Sequence, residues 1–196
     1  VLRRYVEARY AGKSVPANIW LGVSVEDDRV ANRIDTLRRL KDRVGDFTAF
    51  LSVEPLIGSV DDHDYQAIEW VLIGGESGHG ARPMPIALPR QVRDKARGAG
   101  AAIWMKQFGT WPNNPLYRGD RGGLHLDRVR HAIEAGERLA WISHDPKTGK
   151  PRIEGEKGGA TLDGEVIHEL PPSWHRLKAE LQPAFVCPLG PGAPAP

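Results

Sequence analysis

Apolar positions recur along the first hundred residues in two alternating rhythms. Leu2, Tyr5, Val6 and Arg9 follow helical spacing and Gly12 offers a stop just beyond, which predicts a short opening helix over 2–10. Ile19–Val25 is a brief, mostly apolar run bounded by Pro16 and an acidic cluster, and it reads as a strand. Asp28–Leu40 then puts Val30, Ile34, Leu37 and Leu40 on one helical face, with Arg and Asp opposite. The strand pattern returns at Phe47–Val53, Trp70–Ile73 and Ala101–Met105, and Leu88–Ala99 supplies a helix with Leu88, Val92, Lys95 and Ala99 on one face and Gly100 after it. Pro89 fits only in the first turn of that helix, where its missing N–H is tolerated.

Strands about 22–32 residues apart with helical patterns between them describe right-handed βαβ crossovers and a parallel sheet. The expected fold is α/β, a partial β/α (TIM-like) barrel of about four parallel strands over residues 1–111, with a small β-rich C-terminal appendage. Beyond Lys106 the rhythm breaks. Phe108–Asp127 is rich in Gly, Pro and Asn, and residues 112–182 read as a loop-rich extension with short strands. Leu139–Ser143 and Pro151–Glu154 flank a turn at Asp145–Lys150, and Leu162–Leu170 offers a further short strand around Asp163-Gly164. Residues 183–196 hold five prolines and are expected to be disordered.

Composition changes this picture by exclusion. The 196 residues with 40% hydrophobic content support a buried core. A net charge of +2 gives no general field for nucleic acid or an anionic membrane, so a nucleic-acid partner has no support from charge. The sequence contains no long apolar run and no signal-peptide pattern, and the expected setting is cytoplasmic without a membrane partner. The single cysteine, Cys187, makes no internal disulfide and no multi-cysteine metal site. The seven histidines show no metal-ligand spacing.

Candidate chemistry lies at the strand ends. Two strands close on Ser-Val-Glu, at Glu26 and Glu54, and the third closes on Gly74-Gly75-Glu76-Ser77-Gly78. In a β/α barrel, C-terminal strand ends and their loops form the active face, so Glu26, Glu54 and Glu76 are expected in one mouth with Lys106 and Gln107 from the fourth strand. Such a mouth suits a divalent cation, an amine, ribose hydroxyls or general acid/base work. Equally open is an architectural role, in which these carboxylates pair with Lys106, Arg82 or helix N-termini and brace the rim. The loop Gly74–Met84 brings four glycines together with Ser77, His79 and Arg82. It suits either close backbone approach to an anion, with Arg82 as clamp, or a tight strand-to-helix turn. Trp104, Met105, Phe108 and Trp111 cluster near the last strand end and suit stacking on a base or nucleoside, with core packing favoured for Trp70 and Trp104.

The runs Asn18–Asp27 and Phe50–Leu56, with Gly74–Gly78, Ala81–Met84 and Lys106–Gly109, together resemble the bacteriophage gp-thirty-seven/gp-sixty-eight family. Its members are uncharacterised proteins of phages, prophages and bacteria that look like radical S-adenosylmethionine enzymes on a β/α barrel. The resemblance spans residues 1–111, with a closing segment at 159–171. It implies S-adenosylmethionine and an iron–sulfur cluster for full-length relatives, whose cysteine-rich opening segment has no counterpart here. The chain alone is therefore expected to carry no cofactor and to be the later part of such a protein, inactive by itself. On this reading Glu26, Glu54, Glu76, Ser77, Arg82, Lys106 and Gln107 are its candidate ligand-binding residues. The rivals are a non-catalytic binding or remnant domain and a carboxylate-based metal-dependent hydrolase. Open sheet edges are expected to favour self-association or a complementary N-terminal half.

Overall fold

A computed structural model of the chain describes residues 2–109, 143–144, 147, 151–152, 160–163 and 165–181. The apolar rhythms become α1 (Leu2–Arg9), β1 (Trp20–Ser24), α2 (Asn32–Val44), β2 (Thr48–Val53), β3 (Trp70–Gly74), α3 (Ala87–Gly98) and β4 (Ala102–Gln107). The four strands form one parallel sheet in the order β1-β2-β3-β4. Spatial order equals chain order, so every crossover steps the same way. Crossovers of one hand that never reverse direction put their connections on one face of the sheet, unlike a doubly wound fold.

That face carries the core. Ile34, Leu37 and Leu40 of α2 and Pro89, Val92 and Ala96 of α3 are buried. They meet Ala49, Leu51, Val53, Val71, Ile73, Ile103 and Met105 from the strands. Two helices differ from the sequence reading in detail. α2 starts at Asn32 rather than Asp28, because the Asp27 carboxylate accepts the Arg29 N–H at 3.0 Å and residues 27–31 close as tight turns. It runs on to Val44 and stops at Gly45, whose φ of 89° sends its N–H back to the Lys41 carbonyl. In α3 the buried side is rotated by one position, taking in Pro89 and Ala96, while Lys95 lies 5.7 Å over the Tyr65 ring. The β2–β3 link, residues 54–69, contains no helix. Instead Leu56, Val60, Tyr65 and Ile68 fold down from an irregular segment to fill the place a helix would take.

The opposite face is aromatic. Trp20, Phe50, Trp70, Leu72 and Trp104 are half-buried there, and none belongs to the core cluster, which corrects the core placement expected for Trp70 and Trp104. The indoles meet edge to face, Trp20–Trp70 at 5.8 Å and Trp70–Trp104 at 6.3 Å. Gly22 makes room for this layer, since a Cβ there would lie 2.5 Å from the Phe50 ring.

Two short antiparallel hairpins follow, β5 (Ser143–His144) with β6 (Pro151–Arg152), and β7 (Thr161–Leu162) with β8 (Glu165–Val166) about Asp163 at φ 55°. A helix, α4 (Pro172–Leu181), then occupies a stretch expected to be loop and strand, and its Trp174 stands 6.1 Å from Trp20. The expected loop at 112–142 and the tail at 183–196 lie outside the described residues.

The two sheet edges differ. Ile167–Glu169 runs antiparallel along β4, with the Met105 N–H on the Ile167 carbonyl and the Glu169 N–H on the Ile103 carbonyl, both at 2.8 Å. His168 stacks on Trp104 at 4.1 Å, and the Trp70 indole N–H donates to the Glu169 carbonyl at 2.9 Å. Asp163 ties this strap to α3, accepting from Arg90 and Arg93. Burial works to raise the Asp163 carboxyl, but the two arginines outweigh it and hold the group below its ordinary value. Among the described residues no strand pairs with the outer side of β1, where Arg33 donates to the Ser24 carbonyl at 2.8 Å. No described helix is long and apolar enough to cross a membrane.

Candidate functional site at the strand ends

Because the strands are parallel, Glu26, Glu54, Glu76, Lys106 and Gln107 all leave the sheet at its C-terminal end. Glu54 binds farthest from its own strand. It follows the last residue of β2, and its side chain crosses the end of β3 to reach β4. There it accepts from Lys106 Nζ at 2.9 and 3.1 Å and from Gln107 Nε2 at 2.9 Å. Gly74 is the passage: a Cβ there would stand 2.8 Å from the Glu54 Cδ, so any other residue would make the Glu54 carboxylate shift.

The β4 end is itself irregular. Ile73 pairs with Met105, yet Gly74 pairs with Gln107, leaving Lys106 as the additional residue of a bulge. Bulges are enriched beside active sites, where they re-aim a side chain. Gln107 is 4% exposed, and its Nε2 also donates to the Gly75 carbonyl at 3.2 Å. Its Oε1 is buried and has no hydrogen-bond partner among the described residues. Turning the amide over would set a carbonyl oxygen against the Glu54 carboxylate and the Gly75 oxygen, so the orientation is determined by the bonds. A buried acceptor left unmatched costs about 1–3 kcal/mol. The triad opens outward at Lys106, whose side chain is 51% exposed against 22% for Glu54.

The other rim carboxylates keep to their own neighbourhoods. Glu26 pairs with Arg33 of α2 at 3.2 Å. Glu76 accepts the Arg82 backbone N–H at 2.8 Å and the guanidinium at 2.7 and 2.8 Å, closing the 76–82 loop on itself. Those bonds, the side-chain ones first, lower its carboxyl to about 2. Arg82, expected as an anion clamp, thus has its fork on Glu76, and bracing describes this loop. Arg29 holds Asp27 below its ordinary value, and the Arg82 charge adds to that effect, so the loops after β1 and β3 feel one another. Ser77 and His79 are exposed on the same loop.

The glycines serve the protein's own backbone. A Cβ on Gly75 would stand 2.0 Å from the Phe108 carbonyl oxygen, and one on Gly109 would stand 2.1 Å from that of Glu76. With the Gly75 N–H on the Gln107 carbonyl at 2.9 Å, the loops after β3 and β4 lie backbone to backbone. The expected aromatic cluster is divided between layers: Met105 and Phe108 belong to the core and Trp104 to the opposite face, while Trp111 lies outside the described residues. Among the described residues no three His, Cys, Asp or Glu side chains are grouped to hold a metal, and Cys187 lies outside them.

Sequence reasoning brought the right strand ends together. It missed the route of Glu54 over Gly74, the unmatched Gln107 carbonyl and the Asp163 clasp, each of which depends on residues 20–73 positions apart. The repeated Ser-Val-Glu was a visible signal, whereas nothing local marked Gly74 apart from its neighbour Gly75.

The fold and rim define an α/β protein with a singly wound four-stranded parallel sheet and an ion-paired C-terminal rim. The chain belongs to the DUF5131 family, described as a protein of unknown function, whose pattern matches residues 2–171. None of the curated proteins and none of the solved structures compared with it matches.

Proposed function

We propose that this chain is the later part of a phage- or prophage-type radical S-adenosylmethionine-like β/α-barrel protein of the cytoplasm, and that its C-terminal rim is the ligand-binding face. The observation that carries the reading is the Glu54–Lys106–Gln107 triad, assembled from two strands across a third through Gly74. Barrel proteins bind ligands at this end because separate strands deliver separate groups to one place. The one-way winding of the sheet and the motif resemblance support the same reading.

An iron–sulfur cluster is held by several thiolates. The sequence contains one cysteine, so the residues of this chain do not fit a cluster. What these residues supply is recognition. Lys106 addresses a carboxylate or phosphate, Glu54 an amine or hydroxyl, and Gln107 fixes the Glu54 carboxylate. Calorimetric titration with S-adenosylmethionine, and with adenosine alongside, tests the reading. Saturable binding is expected, tighter than that of adenosine, and Lys106→Met or Glu54→Gln weakens it by about tenfold or more, the scale of a lost charge-assisted hydrogen bond. No saturable binding, or binding indifferent to both substitutions, sinks it.

A second reading, a binding module that accepts another strand, draws on the contrast between the covered β4 edge and the β1 edge, which has no partner strand among the described residues. Ser24→Pro removes an outward N–H from β1 and adds a ring. If association seen in sedimentation velocity persists in that variant, this edge is not the contact.

A further inference from the structure

We infer that the Glu54–Lys106–Gln107 rim takes the zwitterionic group of an α-amino acid, or of a ligand built like one, with an apolar or aromatic body. The inference rests on the rim being the ligand-binding face and narrows that face to one ligand class.

Lys106 Nζ sits on both oxygens of Glu54, at 2.9 and 3.1 Å, so a cation and an anion stand side by side at the mouth. A lone anion drawn to Lys106 would strip Glu54 of its counter-charge, and a lone cation drawn to Glu54 would strip Lys106. A ligand carrying ammonium beside carboxylate lets both protein charges exchange partners with none left unmatched. The Gln107 amide is satisfied at one end only among the described residues. Its nitrogen is committed to Glu54 and the Gly75 carbonyl, while its buried oxygen has no donor among the described residues. An ammonium offers three donors, enough to serve Glu54 and that oxygen together once Lys106 turns to the ligand carboxylate. Trp104, two residues before Lys106, and Leu72, its register partner on β3, belong to the half-buried aromatic face. His168 covers the Trp104 ring, so the half-buried Leu72 side chain is the apolar ground beside the rim for the body of the ligand.

The test is saturation-transfer NMR and calorimetry on the full chain with L-phenylalanine, N-acetyl-L-phenylalanine and L-phenylalanine methyl ester. L-Phenylalanine is expected to bind saturably, and each analogue, which lacks one charge, about tenfold more weakly or worse. Lys106→Met is expected to erase only the preference over the ester, and Glu54→Gln only the preference over the N-acetyl compound. Equal binding of all three compounds by the wild-type chain overturns the inference without any variant having to fold. So does the absence of saturable binding at millimolar concentration. S-Adenosylmethionine binding that adenosine alone reproduces, with no amino-acid binding, defeats this inference while leaving the rim a ligand site. Amino-acid binding with nothing gained from an adenosyl group upholds the inference and defeats the radical S-adenosylmethionine reading.

Discussion

Leu51 and Phe50 are chain neighbours on β2, yet they face different environments. Leu51 is wholly buried with Ala49, Val53, Val71, Ile73, Ile103 and Met105, an aliphatic layer covered by α2 and α3. Phe50 is half-buried on the side of Trp20, Trp70, Leu72 and Trp104, where the covering elements are the strap at Ile167–Glu169 and the Trp174 end of α4. A strand apolar on both faces is the signature of a sheet built to be covered on both. The chemistry of the faces differs as well: branched aliphatics fill the closed side, whereas the side with more open surface is paved with rings that meet edge to face. The two faces of the same four strands thereby divide closed aliphatic packing from half-open aromatic packing. The rim triad stands where they end.

The largest expected effect tests that division directly. Leu51→Ala should cost about 2–5 kcal/mol in urea unfolding, the range for emptying a filled aliphatic site. Phe50→Ala, one residue away, should cost about 1–2 kcal/mol, because the ring is only half removed from water and what remains can settle onto Gly22. Equal losses would mean that the second face is as much a core as the first.

Next comes the clasp that holds the strap over Trp104. Asp163 bonds Arg90 and Arg93, and both Asp163 and Arg93 are mostly buried while Arg90 is not. Asp163→Asn should therefore cost about 1–2 kcal/mol, less than a fully buried pair. It should also change tryptophan emission, since His168 rests on the Trp104 ring. An unchanged emission spectrum with lost stability would separate the clasp from the aromatic face. Because the Asp163 pKa is depressed by folding, its contribution is complete above the ordinary carboxylate value and disappears as pH falls through the lowered one. Wild-type and Asp163→Asn stabilities should converge in acid.

Much of this was legible in sequence because it is local. The four strands begin and end within two residues of their apolar runs, and Gly100 lies beyond α3 as a stop signal should. The β2–β3 link was less legible: Leu56, Val60, Tyr65 and Ile68 have no helical period, and only the packing shows them filling a helix's place. α4 was hidden by Pro171-Pro172, which reads as a break although proline is acceptable at a first helical position. The two faces were illegible for a different reason. Continuous runs such as Ala49-Phe50-Leu51 and Ile103-Trp104-Met105 have no polar alternation to tell inside from outside. At the rim, residue types were readable but partners were not, because Glu54 finds Lys106 only through the register of three strands.

The smallest expected effect concerns the rim alone. Glu76 has an ordinary carboxyl value of 4.5 and is lowered to about 2 by Arg82, through the side chain first and the backbone N–H second. A depressed folded value means that the contribution is fully present above about 4.5 and is lost as pH falls toward 2. The side chain is only half-buried at the rim, so the readout is the titration itself rather than global stability. Carboxyl NMR should place the Glu76 midpoint near 2, and Arg82→Gln should return it toward 4.5. Tryptophan emission should not follow that titration, because the 76–82 loop closes on its own residues whereas the aromatic face is held by the strap and α4. If the indoles did respond as Glu76 protonates, the self-closed loop would be bearing on the aromatic layer. The separation between the self-closed rim loop and the aromatic layer would then fail at the place where it is meant to be sharpest.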